Sequence, residues 1–353
     1  MGGFLHSYTL KDNSMKKIFY IIGIALTLAS CQQTGYEPWA DIQSNTENAE
    51  TVTLTVSEAP AIDFATVSTD SVQLFIPTVT SSVKTTDNFV AKLVNGDKSE
   101  AINADSAGYV AANELKTAIQ KLYGKKPEER DVNIVVTGYS LIGTQSIQNT
   151  ANVKAKITLD NTFTEFIYEI GENTTWGDAL ALYGPDFDGK YYGALYLKSG
   201  FKFRSNLGNW DGELNLGLDS NGNLISDGGS SNITLDENGF YNVTVNVADM
   251  TYTLKKFEYI EIIGDGQGSW DNGTKMTYNE ADRTWVADNV TLSNGSIKFR
   301  SDGNWDNVNI GGSLNNLVQG SNDNIPVTAG TYKVVLHLEN AAEKAPYAEL
   351  IAK

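Results

Sequence analysis

The sequence carries nearly the same phrase twice, FRSNLGNWDG from residue 203 and FRSDGNWDN from residue 299. In the second copy the strand-like run IKFRS ends just before the loop that contains Trp305. Side chains alternate between the two faces of a strand, so Lys298 and Arg300 should lie together on one exposed face. The first copy has the same alternation. The pattern therefore predicts two cationic hydrogen-bond donors beside a loop tryptophan, in each of two places.

A second tryptophan precedes each copy, in GENTTWGD (171–178) and in GDGQGSWDN (264–272). Loop tryptophans can form flat platforms, and their rings combine a large apolar surface with one polar group. Basic and amide side chains supply hydrogen bonds, of which the charge-assisted ones are the stronger. A neutral sugar needs both, because its ring has an apolar face and its hydroxyls need fixed partners. The pattern therefore favours binding of a neutral carbohydrate in a shallow, open groove.

Structural explanations compete with this interpretation. A loop tryptophan can fill the core, and Trp285 and Tyr192 are predicted to do so because they stand in strand-like runs. The lysines could be ordinary solvated strand residues. Each arginine could instead pair with the aspartate of its own loop, Asp211 or Asp306. Repetition does not decide between these alternatives, because a repeated folding requirement would also repeat the residues.

The elements that position these residues repeat in the same order. FIYEIG (166–171) matches YIEIIG (259–264), and GFYNV (239–243) matches GTYKV (330–334). Short apolar stretches alternate with Asn-Gly turn signals, which is typical of β-structure. The order of the matches predicts a tandem pair of β-sandwich domains. We place them at residues 158–256 and 257–353.

Residues 32–157 have strand periodicity interrupted by one helix, NELKTAIQKLYG. Leu115, Ala118, Ile119 and Leu122 share one face of that helix, and Gly124 suits its C-terminal cap. The rhythm predicts an Ig-like β-sandwich with a helical crossover. The fold class predicted for the whole chain is therefore all-β, with an N-terminal Ig-like sandwich followed by two tandem sandwiches.

The N-terminus has the pattern of an exported lipoprotein. From Met15 two lysines are followed by an apolar stretch, Ile18 to Leu28, that is too short to span a bilayer comfortably. Leu-Ala-Ser-Cys then ends at Cys31, the only cysteine of the chain. This matches a lipobox, in which the thiol takes the lipid. Residues 1–31 are therefore predicted to be a signal peptide with its lipidated Cys31, and the lipid is the expected membrane anchor.

Composition argues against several other functions. The net charge of −17 disfavours nucleic acid, which needs a basic face to displace counterions. The chain has two histidines, His6 before the basic start at Met15 and His337 in a strand-like run. They give neither a metal set nor a Ser-His-Asp triad. We expect no catalytic residues, no metal, no cofactor and no enzymatic activity.

Together these residues resemble the SusE/SusF family of surface glycan-binding lipoproteins from Bacteroidetes polysaccharide-utilisation systems. The resemblance rests on the lipobox, the helix reading ELKTAIQKLYGKKP, and the repeated G-D-x(n)-W-D, F-K-F-R and N-W-D motifs. Two C-terminal modules make SusE the closer match. The resemblance implies carbohydrate-binding-module-like sandwiches after the Ig-like domain. It also implies cell-surface exposure at the outer membrane and capture of starch or maltooligosaccharides without hydrolysis.

The resemblance further implies partnership with a TonB-dependent porin and its lid lipoprotein. It carries specific residues over as carbohydrate ligands, namely Trp270, Trp305, Lys298, Arg300 and Asn304 in the last module and Trp176, Trp210, Lys202, Arg204 and Asn209 in the middle module. Both tryptophan-bearing loops of the middle module differ in sequence from those of the last module, which predicts that one of the two modules binds weakly or not at all. Another neutral glycan (fructan, mannan or xylan) and a structural or assembly lipoprotein without glycan binding are the alternatives.

Overall fold

Alternating apolar and polar residues form most of the strands in the structure, a computed structural model that describes residues 51–353. The all-β fold class is confirmed. The Ig-like and carbohydrate-binding-module-like arrangements, and the domain boundaries, stay predictions. The predicted signal peptide and Cys31 lie outside the described residues. Within 51–353 no helix is long and apolar enough to span a membrane.

The N-terminal part packs a five-stranded sheet, in the order β2-β9-β8-β5-β6, with two short strand pairs, β1-β4 and β3-β7. Strands β2 and β9 run parallel. The bounds are β1 (Val52–Glu58), β2 (Ile62–Asp63), β3 (Ser71–Gln73), β4 (Phe75–Ser81), β5 (Thr86–Asn95), β6 (Lys98–Ala104), β7 (Tyr109–Ala111), β8 (Glu129–Ile142) and β9 (Gln145–Thr158).

The predicted helix is α1 (Ala112–Tyr123). Its apolar face is buried as the spacing predicted, because residues three and four apart project from one side of a helix. Gly124 follows the helix with a φ of 79°, a conformation that glycine adopts without a steric penalty. The buried residues of the helix are Ala112, Leu115, Ala118, Ile119 and Leu122.

The middle module, as we call residues 158–256, forms one eight-stranded sheet in the order β15-β14-β13-β10-β11-β12-β16-β17. A short 3₁₀ turn, Glu172–Thr174, follows its first strand. The bounds are β10 (Phe166–Gly171), β11 (Leu180–Tyr183), β12 (Lys190–Leu197), β13 (Phe201–Arg204), β14 (Asn215–Leu218), β15 (Leu224–Ser226), β16 (Gly239–Asn246) and β17 (Thr251–Phe257).

The last module, residues 257–353, divides its strands between two sheets. One runs β19-β18-β22-β23-β24, with β25 paired to β22, and the other runs β20-β21-β26-β27. The bounds are β18 (Ile260–Gly264), β19 (Ser269–Lys275), β20 (Thr277–Asn279), β21 (Thr284–Leu292), β22 (Gly295–Ser301), β23 (Asn304–Ser313), β24 (Asn316–Gln319), β25 (Ile325–Val327), β26 (Gly330–His337) and β27 (Tyr347–Ala352).

The two modules pack against each other through shared apolar residues. Ala194 and Phe240 of the middle module join the hydrophobic core of the last module. Trp285, predicted to be a core residue, is 3% exposed there. Its ring lies 4.7 Å from that of Phe240, measured between ring centres. Tyr192, the other predicted core aromatic, is only half-buried.

Candidate functional site

The last module builds its candidate site on β18, β22 and β23. Ile297 and Phe299 of β22 are fully buried, so Lys298 and Arg300 lie on the opposite face. Both cations approach Trp305, with Lys298 Nζ 5.3 Å and Arg300 Cζ 5.0 Å from the ring centre. Such distances, within about 6 Å, are those of cation–π contacts. The predicted placement of the basic pair on one face is therefore confirmed.

That face is covered, however, and the expectation of an exposed basic pair is wrong. Lys298 is 7% exposed and Arg300 is 5% exposed. The indole of Trp305 lies within about 6 Å of the cationic groups of both side chains. Lys298 Nζ donates to the carbonyl of Ser321 at 2.6 Å. Burial lowers the pKa of Lys298, and the charge of Asp323 opposes that shift. The ammonium group is thus partly desolvated and fixed in position.

Arg300 is held by a buried acid that the sequence reading missed. Its Nε donates to Glu261 Oε1 at 2.6 Å, and its Nη2 donates to the carbonyl of Asp271 at 2.9 Å. The alternative in which Arg300 pairs with Asp306 is not what the structure shows. Glu261 lies directly opposite Arg300 on the neighbouring strand. Comparison of the two repeats did not reveal Glu261 as a shared feature of the pattern, because the matching position of the middle module is Tyr168.

Trp270 and Trp305 form the aromatic part of the site. Their ring centres are 6.4 Å apart and their planes are inclined by 40°. Trp270 is 36% exposed and Trp305 is 38% exposed. Large apolar rings are usually more deeply buried in a folded protein, so these two rings form an exposed aromatic pair that is open to contact with a ligand. The core-filling alternative is therefore excluded for these two residues.

The asparagines beside the second tryptophans shape the loops. Asn304 Oδ1 accepts the backbone N–H of Asp306 at 3.0 Å. Asn209 Oδ1 accepts the backbone N–H of Asp211 at the same distance. These are Asx turns, in which a side-chain amide replaces a backbone turn partner. Both asparagines are exposed. Their contact with a sugar stays a prediction, while their contribution to loop shape is visible.

The middle module repeats the cation–aromatic contact with one tryptophan. Trp210 is 36% exposed, with Lys202 Nζ 5.9 Å and Arg204 Cζ 5.2 Å from its ring centre. Arg204 donates through Nη2 to the carbonyl of Leu207 rather than to Asp211. Within residues 51–353 its buried Nε finds no acceptor. Burial lowers the pKa of both Lys202 and Arg204. As in the last module, the predicted exposure of these two cations is wrong, since they are 9% and 4% exposed.

Trp176 does not join Trp210. Its backbone has a φ of 56°, and its indole Nε1 donates to Glu172 Oε1 at 2.7 Å. The ring is half-buried, and among the described residues it makes no ring contact with Trp210. The leading loop of this module, between Gly171 and Trp176, is one residue shorter than its counterpart between Gly264 and Trp270. Trp176 packs against a small apolar cluster formed by Tyr168, Ile170, Ala179 and Ala181.

Two family models match the N-terminal part of the chain. Residues 31–159 match the N-terminal domain of the outer membrane protein SusF, and residues 15–32 match the prokaryotic membrane lipoprotein lipid attachment site. The second match covers the predicted lipobox and Cys31. No curated protein and no solved structure gave a significant match. The family matches end at residue 159, before the first candidate binding tryptophan, Trp176.

Proposed function

The chain is a SusE/SusF-like outer-membrane lipoprotein, and on that premise we propose that it captures a neutral glycan without cleaving it. The lipid on Cys31 anchors it at the outer membrane. The proposal adds exposure at the cell surface and delivery to a TonB-dependent porin with its lid lipoprotein. Starch or maltooligosaccharide is the first candidate ligand, following the family resemblance. Another neutral polysaccharide would be bound by the same chemistry.

The observation that carries the proposal is the tilted tryptophan pair of the last module. Trp270 and Trp305 present two exposed rings inclined to each other, which suits the curved apolar surface of a sugar chain better than a flat platform would. Arg300 is oriented by Glu261. Among the described residues its Nη1 has no hydrogen-bond partner, which leaves those hydrogens for a sugar hydroxyl.

The middle module offers a weaker second site. It contributes one exposed ring, Trp210, because Trp176 folds back onto its own module. Two unequal sites on one chain raise the effective concentration for a long polymer. Affinity should therefore grow with the length of the glycan, and Trp305 should matter more than Trp210.

Affinity gel electrophoresis tests the proposal directly. Residues 32–353 are run through gels that contain amylopectin, levan, mannan or xylan. We expect one polymer to retard the wild type, and Trp305→Ala to weaken binding by about tenfold or more, as is usual for a central tryptophan. Trp210→Ala should have the smaller effect. Trp285→Phe, a change in the core, is the control for altered folding.

The other outcomes discriminate among the alternatives. Free migration in all four gels would favour an assembly lipoprotein, with the tryptophans serving as protein contacts. Retardation by levan, mannan or xylan alone would keep glycan capture and replace starch as the ligand. Release of reducing sugar from the bound polymer would contradict the non-catalytic part of the proposal.

A further inference from the structure

A groove of about 280 Å³ runs from the indole of Trp305 onto the sheet of the middle module. Its floor carries hydroxyl groups from strands β12, β16 and β17. Tyr192 lies opposite Thr244, and Thr244 lies opposite Thr253. Side chains in such a cross-strand row project from the same face of a sheet. The middle module therefore presents a row of three hydroxyl groups to the groove.

The opposite wall belongs to the last module. Trp305, Asn307 and Asn309 alternate along β23 with residues that point the other way, two of which are core residues, so these three side chains share a face. Asn309 lies directly opposite Arg300 in the strand register. The last module's wall of the groove and the cationic surface under Trp305 thus lie on the same face of one sheet. The indole of Trp305 borders both the groove and the cationic surface.

The groove is polar, and its hydrogen bonding is incomplete. Among residues 51–353 the buried Oδ1 atoms of Asn307 and Asn309 accept no hydrogen bond. Buried amide oxygens in native proteins nearly always have a donor. The charged residues that border the groove are Lys255 and Asp306, one of each sign. A ligand that supplies hydroxyl donors and carries no net charge fits this lining.

The size of the groove is consistent with a small part of a sugar chain. Small-molecule sites have volumes from about 300 Å³ upwards, so the groove accommodates one end of an oligosaccharide and not a whole one. A chain lying across Trp305 has a direct route into the groove, since the indole borders both. The Asn242 side chain fixes the two modules across this junction by donating to the carbonyl of Asn307 at 2.9 Å.

We propose that this groove is a second subsite of the last module's glycan site, and that the middle module supplies its floor. The proposal rests on the proposed function, because it extends the same bound oligosaccharide beyond the tryptophan pair. Its ligand is a neutral oligosaccharide long enough to cover Trp305 and continue between the modules. Tyr192, Thr244 and Thr253 are then binding residues, although they lie outside both repeated phrases.

The test compares oligosaccharides of increasing length, prepared from the polymer that retards the wild type in the amylopectin, levan, mannan and xylan gels. Binding to residues 32–353 is measured by isothermal titration calorimetry. Thr244→Val/Thr253→Val removes two hydroxyls with little change of volume. We expect unchanged binding of the shortest oligosaccharides and about tenfold weaker binding of the longest. Thr253→Phe, which fills the groove from an exposed position, should do the same.

Thr251→Val is the matched control, since Thr251 is an exposed threonine on the same strand outside the groove. Trp305→Ala should weaken binding at every length. If the groove variants bind the longest oligosaccharide as the wild type does while Trp305→Ala loses affinity, the groove proposal is overturned and glycan capture stands. If the wild type binds none of the four polymers, both proposals fail together.

Discussion

At the scale of single residues, the two repeats differ most at one cross-strand position. Glu261 stands opposite Arg300 in the last module, and Tyr168 stands opposite Arg204 in the middle module. The acid gives Arg300 a buried counter-charge at 2.6 Å. Tyr168 instead donates its hydroxyl to Glu343 at 3.0 Å, which leaves Arg204 with a backbone carbonyl. The arginine under Trp305 is therefore the better fixed of the two.

This difference predicts the effect of removing the acid. Glu261→Gln leaves the Arg300 charge buried without its counter-charge, which costs about 3–5 kcal/mol for a broken buried pair. Urea denaturation of residues 32–353 measures the loss. Glu258→Gln is the control, because Glu258 is exposed and its pairing with Lys256 is solvent-screened. Equal midpoints for the two variants would show that the buried pair contributes no stability.

A second prediction at this scale concerns Trp305 itself. Removing its ring also uncovers the charged groups of Lys298 and Arg300, which lie 5.3 and 5.0 Å from the ring centre. The pKa of Lys298, which burial lowers, should therefore move back towards its ordinary value in Trp305→Ala. Titration of the lysine side chain by NMR in wild type and variant checks this. An unchanged pKa would mean that other groups bury Lys298.

At the scale of elements, the leading loop decides whether two tryptophans meet. In the last module the chain leaves β18 through Gly264 and a 3₁₀ turn, and enters β19 at Ser269. Trp270 is then a strand residue facing Trp305. The middle module lacks one residue in this loop and has no strand at that point, so Trp176 turns inward. One extra residue in the loop thus decides whether its tryptophan joins an exposed pair, as Trp270 does, or lies half-buried, as Trp176 does.

Gly264 is the position on which this loop depends. Its φ is 141°, and a Cβ placed there would collide with the Ser296 carbonyl oxygen. Gly264→Ala should destabilise the module by more than the roughly 1–3 kcal/mol of a strained φ alone, and should weaken the ultraviolet circular-dichroism signal of the coupled tryptophan pair. Gly268 has a positive φ of 107° and open space where a Cβ would lie. Gly268→Ala therefore measures the cost of the strained φ without a steric clash. Equal losses in the two variants would refute the steric argument.

At the scale of the whole molecule, the two modules are joined by buried polar contacts as well as by apolar packing. Glu339 of the last module accepts the backbone N–H of Tyr196 at 3.0 Å and the hydroxyl of Tyr278 at 3.1 Å. It borders a cavity of about 290 Å³ between the modules, which Lys198, Glu280 and Arg283 also line. These contacts fix the relative position of the tryptophan sites on the two modules.

Buried acids at this junction predict a pH-dependent stability. Burial raises the pKa of Glu169 to about 8 and that of Glu339 to about 7, from an ordinary value of 4.5. Asn173 donates to Glu169, and the charge of Arg283 favours ionisation of both acids, but burial outweighs these effects. Below pH 4.5 both acids are protonated in the folded and unfolded chains. Above it the unfolded chain ionises first, so stability falls until the pH passes the folded values.

We therefore expect lower stability at pH 8 than at pH 6, by up to about 1.4 kcal/mol per pH unit for each acid. Denaturant titration of residues 32–353 across this range measures it. Glu169→Gln should reduce the dependence to the part contributed by Glu339, whereas Glu114→Gln, at an exposed helix position, should leave it unchanged. A wild type equally stable from pH 5 to pH 8 would contradict the protonated state of the two acids.

The local pattern of the sequence was sufficient for much of this protein. Strand alternation, the face of α1, the core position of Trp285 and the pairing of Lys298 with Arg300 on one face all follow from neighbours along the chain. The lipobox is equally local, because a peptidase reads it before the chain folds. The all-β class and the outer-membrane anchor were predictable for that reason.

Only the tertiary structure decided what surrounds those residues. Strand register and contacts between modules determine four features that local pattern did not reveal. These are the burial of Lys298, the ion pair of Arg300 with Glu261, the separation of Trp176 from Trp210, and the groove beside Trp305. Residues far apart in sequence meet there, and a single-residue change in loop length reverses which way a ring points. Periodicity fixes the face on which a side chain lies, but packing between elements fixes its exposure and its partners.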